Sequence, residues 1–382
     1  MSLSSFKIAH KLITGAGAIE QLAAELTRLD IDNPLIVTDA ALVKSGTVEL
    51  ALAQLGERTY EIFDRVLPDP EIAIVEDCMR VYRDGGHDGL IGLGGGSAID
   101  IAKSVAAYAG YHGALEDLFG IDQVPRKGPP LIAIPTTAGT GSEVTNVAIL
   151  SDKVAQLKKG IVSDYLLPDV ALVSPQMTLT CPCSVTAASG VDALVHAIES
   201  YLSLNASAIT DSLAIGAIKL IVRALPKAYA NPSNLQARED MATASLMAGM
   251  AFGNAGVGAV HALAYPLGAR YNIAHGVSNA LLLPHVMHWN KMACFERMQD
   301  IAEAMGVKTA HLSVTQAADK AVEAMTELCA AVEIPSDLRS FGVPEEAIAT
   351  MAVEAAGIER LMRNNPRKLN AVDIEKIYRA AY

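Results

Sequence analysis

The chain has 382 residues, of which 51% are apolar and 19% are charged, and this composition excludes disorder for most of its length. Its 30 lysines and arginines against 42 aspartates and glutamates give a formal net charge of −12 at pH 7. So acidic a chain repels phosphate backbones, which excludes a general nucleic-acid partner. At roughly 150 residues per domain, the length predicts two domains.

The cysteines and the apolar runs indicate in which cellular compartment the protein is expected. The cysteines are an odd number without regular spacing, which predicts no disulfide framework: Cys78, Cys181, Cys183, Cys294 and Cys329. The first residues contain no basic segment followed by a long apolar run, and apolar runs elsewhere end well before the ~18 residues of a membrane span. We therefore expect a cytoplasmic protein without a membrane partner.

Short apolar runs alternate with helical periodicity as far as about residue 180. Continuous runs of this kind are typical of parallel strands buried on both faces. The predicted strands are PLIVTD (34–39), TYEIFD (59–64), DGLIGLG (88–94), PLIAIPTT (130–137) and DVALVSP (169–175). Residues 1–180 are therefore predicted to form an α/β domain of the dinucleotide-binding type.

After Cys183 the strand signals stop, and apolar residues recur at the helical intervals of three and four. The pattern is clearest in residues 185–203, 210–230, 238–256 and 308–332. It predicts an all-α second domain, residues 181–382. Proline and cysteine interrupt the pattern at 176–184, where we place the boundary.

The segment GLGGGSAIDIAK (92–103) combines the end of a predicted strand, a glycine turn and the start of a helix. Gly94, Gly95 and Gly96 allow a diphosphate to approach the backbone, and N–H groups of the first helical turn point at its oxygens. Ser97 is the expected helix cap. The alternative is an ordinary glycine turn between a strand and a helix.

A second loop, PTTAGTGSEVT (135–145), follows the next buried strand. It concentrates hydroxyl groups suited to phosphate and ribose oxygens, on Thr136, Thr137, Thr140, Ser142 and Thr145. Two such loops at the carboxyl ends of strands in one sheet are where an α/β fold binds a dinucleotide.

Asp39, at the end of the strand PLIVTD, is the candidate ribose-binding acid. It precedes the glycines, whereas the common fingerprint places the acid about 20 residues after them. A carboxylate at a strand end would repel a 2′-phosphate and favours NAD over NADP. The alternative role for Asp39 is a helix N-cap.

A metal site is predicted in the second half. In GVDALVHAIESY (190–201), Asp192 and His196 stand four residues apart, on one face of a helix. His261 and His275 follow, separated by Pro266 and Gly268, which we expect to end a helix and return the chain. One carboxylate and three imidazoles form a mixed site suited to Fe(II) or Zn(II), not to Ca(II) or Mg(II).

These residues also have structural interpretations. A lone helical histidine is more often packed or exposed than a ligand, and Glu199 could pair with His196 at the helix surface. His285 and His288, in LLPHVMHWN, are further candidate ligands or site-lining residues.

Four motifs in this order, GGGSAIDIAKS, PTTAGTGSEVT, GVDALVHAIESY and HALAYPLGARYNIAHGVSNALLLPHV, resemble the iron-containing (group III) alcohol dehydrogenase family. The resemblance covers essentially the whole chain. It implies the dehydroquinate synthase-like fold of that family, with an N-terminal dinucleotide-binding α/β domain, an all-α C-terminal domain and an active site in the cleft between them. It implies that one divalent metal is held by Asp192, His196, His261 and His275. It also implies that the cofactor lies along Asp39, Asp69, Gly95, Ser97, Asp100, Thr136, Thr140, Thr145 and Lys158.

One position departs from many relatives, which have a histidine four residues after the third metal ligand. Here that position is Tyr265, as in members that resemble hydroxyacid-oxoacid transhydrogenases. The predicted catalytic residues are Tyr265, for proton relay, and His275.

The predicted reaction is hydride transfer between NAD(H) and a small primary alcohol or aldehyde, on a metal that acts as a Lewis acid. A hydroxyacid-oxoacid transhydrogenase and a 4-hydroxyacid dehydrogenase are the alternatives. Predicted pocket residues are Phe252, Asn254, Val257 and Tyr265, with Arg270 as the cation for a substrate carboxylate. Fe(II) is the expected metal, with Zn(II) as the alternative, and a homo-oligomer such as a homodimer is expected.

Overall fold

The computed structural model describes residues 4–153 and 157–382. By its internal contacts the chain divides into two compact units. One is Lys7–Cys181, and the other is Pro182–Tyr382 together with the residues before Lys7. We call them the α/β unit and the helical unit.

The α/β unit contains nine strands and five α-helices within the described residues. The strands are β1 (Leu12–Thr14), β2 (Pro34–Val37), β3 (Glu61–Phe63), β4 (Gly89–Gly94), β5 (Gly120–Ile121), β6 (Leu131–Pro135), β7 (Val147–Asp152), β8 (Leu157–Val162) and β9 (Val170–Val173). The helices are α1 (Leu22–Arg28), α2 (Ala40–Lys44), α3 (Thr47–Leu52), α4 (Ile72–Asp84) and α5 (Gly96–Ala109).

Six of these strands form one sheet in the order β1-β9-β6-β4-β2-β3, and all their pairings are parallel. The five predicted strands are β2, β3, β4, β6 and β9. Successive side chains point to opposite faces: Leu35 and Val37 belong to one buried cluster, and Ile36 belongs to another. Both faces are therefore buried, as the continuous apolar runs predict.

A second sheet, in the order β5-β8-β7, was not predicted. β7 and β8 pair in antiparallel fashion over six residues each. Polar and charged residues occupy the end of this hairpin, with Ser151 opposite Lys158 and Leu150 opposite Lys159. The apolar run that reveals a doubly buried strand is therefore missing there.

The helical unit contains ten α-helices within the described residues. They are α6 (Cys183–Leu202), α7 (Ala208–Ala230), α8 (Leu235–Ala255), α9 (Ala259–Tyr271), α10 (His275–Asn290), α11 (Phe295–Ala304), α12 (Val314–Ala331), α13 (Ile348–Ala356), α14 (Glu359–Met362) and α15 (Ala371–Ala380). α6, α7 and α8 pack against one another, and α6 also packs against α10. α6 is buried along most of its length, which explains why it is apolar nearly all round.

The turn between α9 and α10 differs from the prediction. Pro266 lies inside α9, which continues to Tyr271. The chain reverses at Asn272, whose backbone is left-handed with a φ of 52°. Asparagine is one of the few residues that adopt this conformation at modest cost, so it ends the helix in place of the predicted proline and glycine.

No single helix in residues 4–153 and 157–382 is both long and apolar enough to cross a membrane. α8 and α9 meet the length and composition criteria only as a pair, and they are bent by 102° at the break between them. The five cysteines are free thiols.

Ile91, in the centre of β4, is fully buried. We expect Ile91→Ala to leave a cavity and to lower the free energy of unfolding by about 2–5 kcal/mol. Differential scanning calorimetry checks this as a lower melting temperature. Leu67→Ala is the matched control, because Leu67 is 61% exposed. An Ile91→Ala variant that melts with the wild type would contradict the assignment of β4 to the core.

Candidate metal centre and nucleotide-binding loops

Three predicted ligands converge in the helical unit. Asp192 lies on α6, His261 on α9 and His275 at the first residue of α10. One potential ligand atom from each of these residues lies within 4.8 Å of the other two. The packing of α10 against both α6 and α9 brings them together.

His196 lies beside these three residues but is outside the converging set. Its ring stacks on that of His261, with the centroids 4.7 Å apart, and on that of Phe252, with the centroids 4.2 Å apart. Phe252, a predicted pocket residue, therefore covers one edge of the cluster.

The hydrogen bonds of His261 indicate what the cluster can hold. Its Nδ1 lies 2.6 Å from Oε2 of Glu199, and because a carboxylate oxygen accepts, Nδ1 is the donor. In the neutral ring Nε2 is then the acceptor, and it is buried without a hydrogen-bond partner. It lies 3.9 Å from Oδ1 of Asp192. Two acceptors facing each other in a buried site repel, and a cation between them relieves the repulsion.

The surroundings of Asp192 favour the ionised form of its carboxyl group. Burial alone would raise the pKa of its carboxyl, but His196, His275, His261 and the Asn279 amide together lower it below its ordinary value. Asn279 Nδ2 donates to Asp192 Oδ1 at 2.7 Å and lies 3.1 Å from His275 Nε2. This amide ties two of the converging residues together.

Glu199 is a site residue whose role the sequence did not reveal. The alternative that it pairs with His196 at the helix surface does not describe the structure, in which Glu199 is buried. Its side chain is 1% exposed and contacts His261 instead, while its other oxygen accepts a hydrogen bond from Val260 N at 2.7 Å. The available signal was its position seven residues after Asp192, on the same face of a helix that is apolar nearly all round.

Tyr265 lies one turn after His261 on α9, and its ring centroid is 6.3 Å from that of His275. Its hydroxyl lies 3.4 Å from a guanidinium nitrogen of Arg360. Arg270, the cation predicted for a substrate carboxylate, instead forms an exposed ion pair with Glu354. The cation beside the predicted relay residue is therefore Arg360.

The other predicted residues of the helical unit have separate contacts. His285 and His288 lie outside the converging set, and burial lowers the pKa of His285, with His288 adding to the effect. The Asn254 amide donates to the carbonyl of Met250 within α8. The carbonyl of Val257 accepts a hydrogen bond from the Asn364 amide.

In the α/β unit the two predicted loops lie side by side, because β4 and β6 are neighbouring parallel strands. Thr136 N donates to the carbonyl of Gly94 at 2.9 Å. A Cβ on Gly96 would lie 2.9 Å from Cγ2 of Thr140, so only glycine allows this close approach. Thr137 also contacts the glycine turn, since a Cβ on Gly95 would lie 3.6 Å from its side chain.

Ser97 does not cap α5, contrary to the prediction. The helix begins at Gly96 with Gly95 as its N-cap, and no side chain caps it. Because Ser97 already lies within the first turn, its hydroxyl is beyond the capping position.

The structure shows one of the two predicted roles of Asp39, that of a helix N-cap. Its Oδ1 caps α2 by accepting from Ala41 N at 2.9 Å and from Leu42 N at 3.0 Å. Its Oδ2 lies 4.0 Å from the position that a Cβ would occupy on Gly94. One oxygen thus orients the carboxylate, and the other faces the glycine turn.

Asp69 and Lys158 are paired with each other. The Lys158 ammonium donates to Asp69 Oδ1. Asp69 has a left-handed backbone, with a φ of 52°, and Lys158 lies on β8. The pair therefore joins the turn before α4 to the second sheet.

Asp100, Ser142 and Thr145 form a supporting network behind the loops. Asp100 accepts hydrogen bonds from the Ser142 hydroxyl at 2.5 Å and from Ile149 N at 2.9 Å. Fully buried Lys103 donates to Ser142 Oγ, Thr145 Oγ1 and the carbonyl of Val147, at 3.0, 3.2 and 3.0 Å. The three predicted cofactor residues Asp100, Ser142 and Thr145 therefore form these hydrogen bonds within the α/β unit.

The charges in this network are perturbed by burial. Burial lowers the pKa of Lys103 to about 8, with Asp100 and Glu143 acting in the opposite direction. Burial likewise raises the pKa of Glu143 to about 7. The Lys103 ammonium acts to lower the pKa of both Asp100 and Glu143, and Lys158 also acts to lower that of Asp100.

Comparisons with known proteins agree with this architecture. The family model "Iron-containing alcohol dehydrogenase" matches residues 9–175. The model "Fe-containing alcohol dehydrogenase family, C-terminal" matches residues 186–382. A crystal structure of 1,3-propanediol oxidoreductase superposes with a TM-score of 0.97 at 41% identity, with 100% of each chain covered.

Two curated relatives are similar over nearly their whole length. Long-chain-alcohol dehydrogenase 1 of Geobacillus thermodenitrificans is 46% identical, with 96% of this chain and 94% of that protein covered. The NAD-dependent methanol dehydrogenase of Bacillus methanolicus is 36% identical, with 99% of this chain and 100% of that protein covered.

The fold and these matches define an oxidoreductase that uses NAD and a metal. The chain belongs to the iron-containing alcohol dehydrogenase family. This confirms the predicted family, the predicted fold class and the predicted class of activity, an NAD-dependent alcohol and aldehyde oxidoreductase.

The Lys103 network predicts a specific defect. Lys103→Met leaves three oxygen acceptors and two carboxyl groups without their buried cation, so we expect a loss of about 3 kcal/mol in stability and weaker NAD binding. Thermal melting and a fluorescence titration with NADH check both effects. Lys153→Met is the control, because Lys153 forms an exposed ion pair with Glu71. Unchanged melting and NADH affinity in Lys103→Met would contradict this role.

Proposed function

We propose that this chain transfers a hydride between NAD(H) and a small primary alcohol or aldehyde, at a divalent metal held by Asp192, His196, His261 and His275. The observation that carries the proposal is the buried, unpartnered Nε2 of His261, which faces the carboxylate of Asp192. A solvated or merely packed histidine would have a hydrogen-bond donor or an apolar surface there.

The metal proposed is Fe(II), with Zn(II) as the alternative, since a site of one carboxylate and imidazoles accepts either ion. When bound, such an ion polarises the substrate oxygen and favours the alkoxide over the alcohol. The side chains supply the rest. Asp192 contributes the negative charge, and the ring of Phe252 stacks on that of His196.

The proposed cofactor site is the pair of loops after β4 and β6, with Gly94, Gly95, Gly96 and Ser97 on one side. On the other side are Thr136, Thr137 and Thr140. Backbone N–H groups at the start of α5 suit the diphosphate. Asp39 Oδ2 faces the glycine turn and suits the ribose diol, which favours NAD over NADP.

The remaining predicted cofactor residues are proposed to act indirectly. Asp100, Ser142 and Thr145 hold the second loop through Lys103. Asp69 and Lys158 hold each other, and we propose that they border the cofactor as a neutralised pair.

The substrate proposed is a small primary alcohol or the corresponding aldehyde. By their names, the relatives act on long-chain alcohols and methanol, and the structural neighbour acts on 1,3-propanediol. A primary carbinol is the group that these substrates share. The homo-oligomeric state and the cytoplasmic location remain predictions.

A hydroxyacid-oxoacid transhydrogenase or 4-hydroxyacid dehydrogenase is the second candidate. The observation that favours it is Arg360, whose guanidinium lies 3.4 Å from the Tyr265 hydroxyl and is half-buried. A guanidinium there suits a substrate carboxylate.

Turnover assays test the proposal and separate the candidates. We expect metal-replete protein to release free NADH from NAD and a primary alcohol, and to use NADP poorly. Elemental analysis of the same sample identifies the metal. We expect His261→Ala and His275→Ala to lose both metal and turnover while they remain folded by circular dichroism. Full activity in a variant without metal would refute the metal centre, and strict dependence on an added oxoacid without free NADH would favour the transhydrogenase.

The proposed role of Tyr265 in proton relay leads to a separate prediction. We expect Tyr265→Phe to lower kcat at least tenfold while metal content stays unchanged, because the ring remains and only the hydroxyl is lost. Steady-state kinetics over a range of pH checks this. Tyr271→Phe, at the end of the same helix, is the control. An unchanged kcat and pH profile in Tyr265→Phe would assign the relay to another group.

A further inference from the structure

Both carboxylate oxygens of Glu199 are engaged at the start of α9. Oε2 accepts a hydrogen bond from His261 Nδ1 at 2.6 Å, and Oε1 accepts one from Val260 N at 2.7 Å. The side chain is 1% exposed. One buried carboxylate thus holds both the ring of a proposed ligand and the backbone immediately before it.

We propose that Glu199 is a positioning residue that sets the metal affinity of the site by fixing the tautomer and the orientation of His261. This inference rests on the metal centre proposed above. Glu199 is outside the set of converging ligand atoms, and both of its oxygens accept hydrogen bonds from α9.

The tautomer follows from the hydrogen bond. An imidazole that donates from Nδ1 to a carboxylate keeps Nε2 free of hydrogen. His261 Nε2 points into the cluster, 3.9 Å from Asp192 Oδ1. A carboxylate partner also makes the ring a stronger electron donor to a metal. Without Glu199, the hydrogen of neutral His261 could move to Nε2 and block the site.

The orientation follows from the bond to Val260. The first N–H groups of a helix have no partners within the helix, and a negative charge at that end is favourable. Glu199 accepts a hydrogen bond from the N–H of Val260, and Asn365 Oδ1 accepts one from the N–H of Ala259 at 3.3 Å. Gly258 completes the arrangement, because a Cβ there would lie 3.0 Å from Asn365 Oδ1 and 3.3 Å from Glu199 Oε1.

Asn365 is itself rigidly held. It exchanges two amide hydrogen bonds with buried Asn290, at 2.8 and 2.9 Å, and also donates to the carbonyl of Arg367 at 2.6 Å. Asn365 therefore supports the start of α9 without contacting the His261 ring. A variant of Asn365 therefore tests the support of α9 alone, whereas a variant of Glu199 also tests the control of the His261 tautomer.

Glu199→Gln is the decisive variant because it preserves size and removes only the charge and one acceptor. If its amide oxygen accepts from Val260, its NH₂ group faces His261 Nδ1 and requires the hydrogen on Nε2. If the amide is flipped, the NH₂ group faces the Val260 N–H. Either orientation opposes metal binding or breaks a hydrogen bond.

The experiment is a titration of the metal-free protein with Co²⁺, followed by its visible absorption. We expect the Kd for Co²⁺ to rise 10- to 100-fold in Glu199→Gln, with a changed absorption spectrum. Glu333→Gln is the control, because Glu333 accepts a hydrogen bond from Tyr229 at the exposed surface of the same unit. Asn365→Ala is expected to lower the melting temperature of the metal-free protein but to change the Kd less than Glu199→Gln does.

An equal Kd in wild type and Glu199→Gln would overturn this inference and leave the metal centre intact. A wild-type protein that binds no Co²⁺ would overturn both. Should Glu199→Gln fail to fold, nitrogen-15 NMR of the histidines in Zn²⁺-loaded wild type gives the answer. A hydrogen on His261 Nδ1 with the metal on Nε2 supports the inference, and the reverse arrangement overturns it.

Discussion

In the helical unit, two hydrogen-bond acceptors of different helices are buried against each other. His261 Nε2 and Asp192 Oδ1 face each other at 3.9 Å as two acceptors, and the nitrogen is buried without a donor. A cation bound between them would compensate for this arrangement. The packing of α10 against α6 and α9 therefore brings together side chains that suit a bound cation.

Sequence spacing could reveal the parts of the site that lie within one element. Asp192 and His196 are four residues apart on α6, and the glycine turn directly follows a doubly buried strand. Helical and strand periodicity place such residues on one face without knowledge of the fold. The same logic gave the four central strands β9, β6, β4 and β2, since a run buried on both faces has a distinctive composition.

The parts that join distant elements could not be predicted in this way. Glu199 and Val260 are 61 residues apart in sequence, and no pattern on α6 names its partner on α9. The short strand β1 and the polar end of the β7–β8 hairpin carry too little apolar signal. The reversal at Asn272 was missed because a left-handed asparagine is a weaker sequence signal than Pro266, which lies earlier in the same helix.

Asp100 in the α/β unit and Glu199 in the helical unit form the same kind of hydrogen-bonded arrangement. Each is a carboxylate on a helix that takes one side-chain donor and one backbone N–H: Ser142 and Ile149 N for Asp100, His261 and Val260 N for Glu199. Such a carboxylate locks a loop or a helix start to its neighbour, because both of its oxygens must be satisfied at once. From the sequence alone, an acidic residue beside a functional loop can therefore be interpreted in two ways, as a ligand contact or as a support for the loop. The donors that an acid already has help to distinguish them, and the two donors found for each of these residues favour loop support.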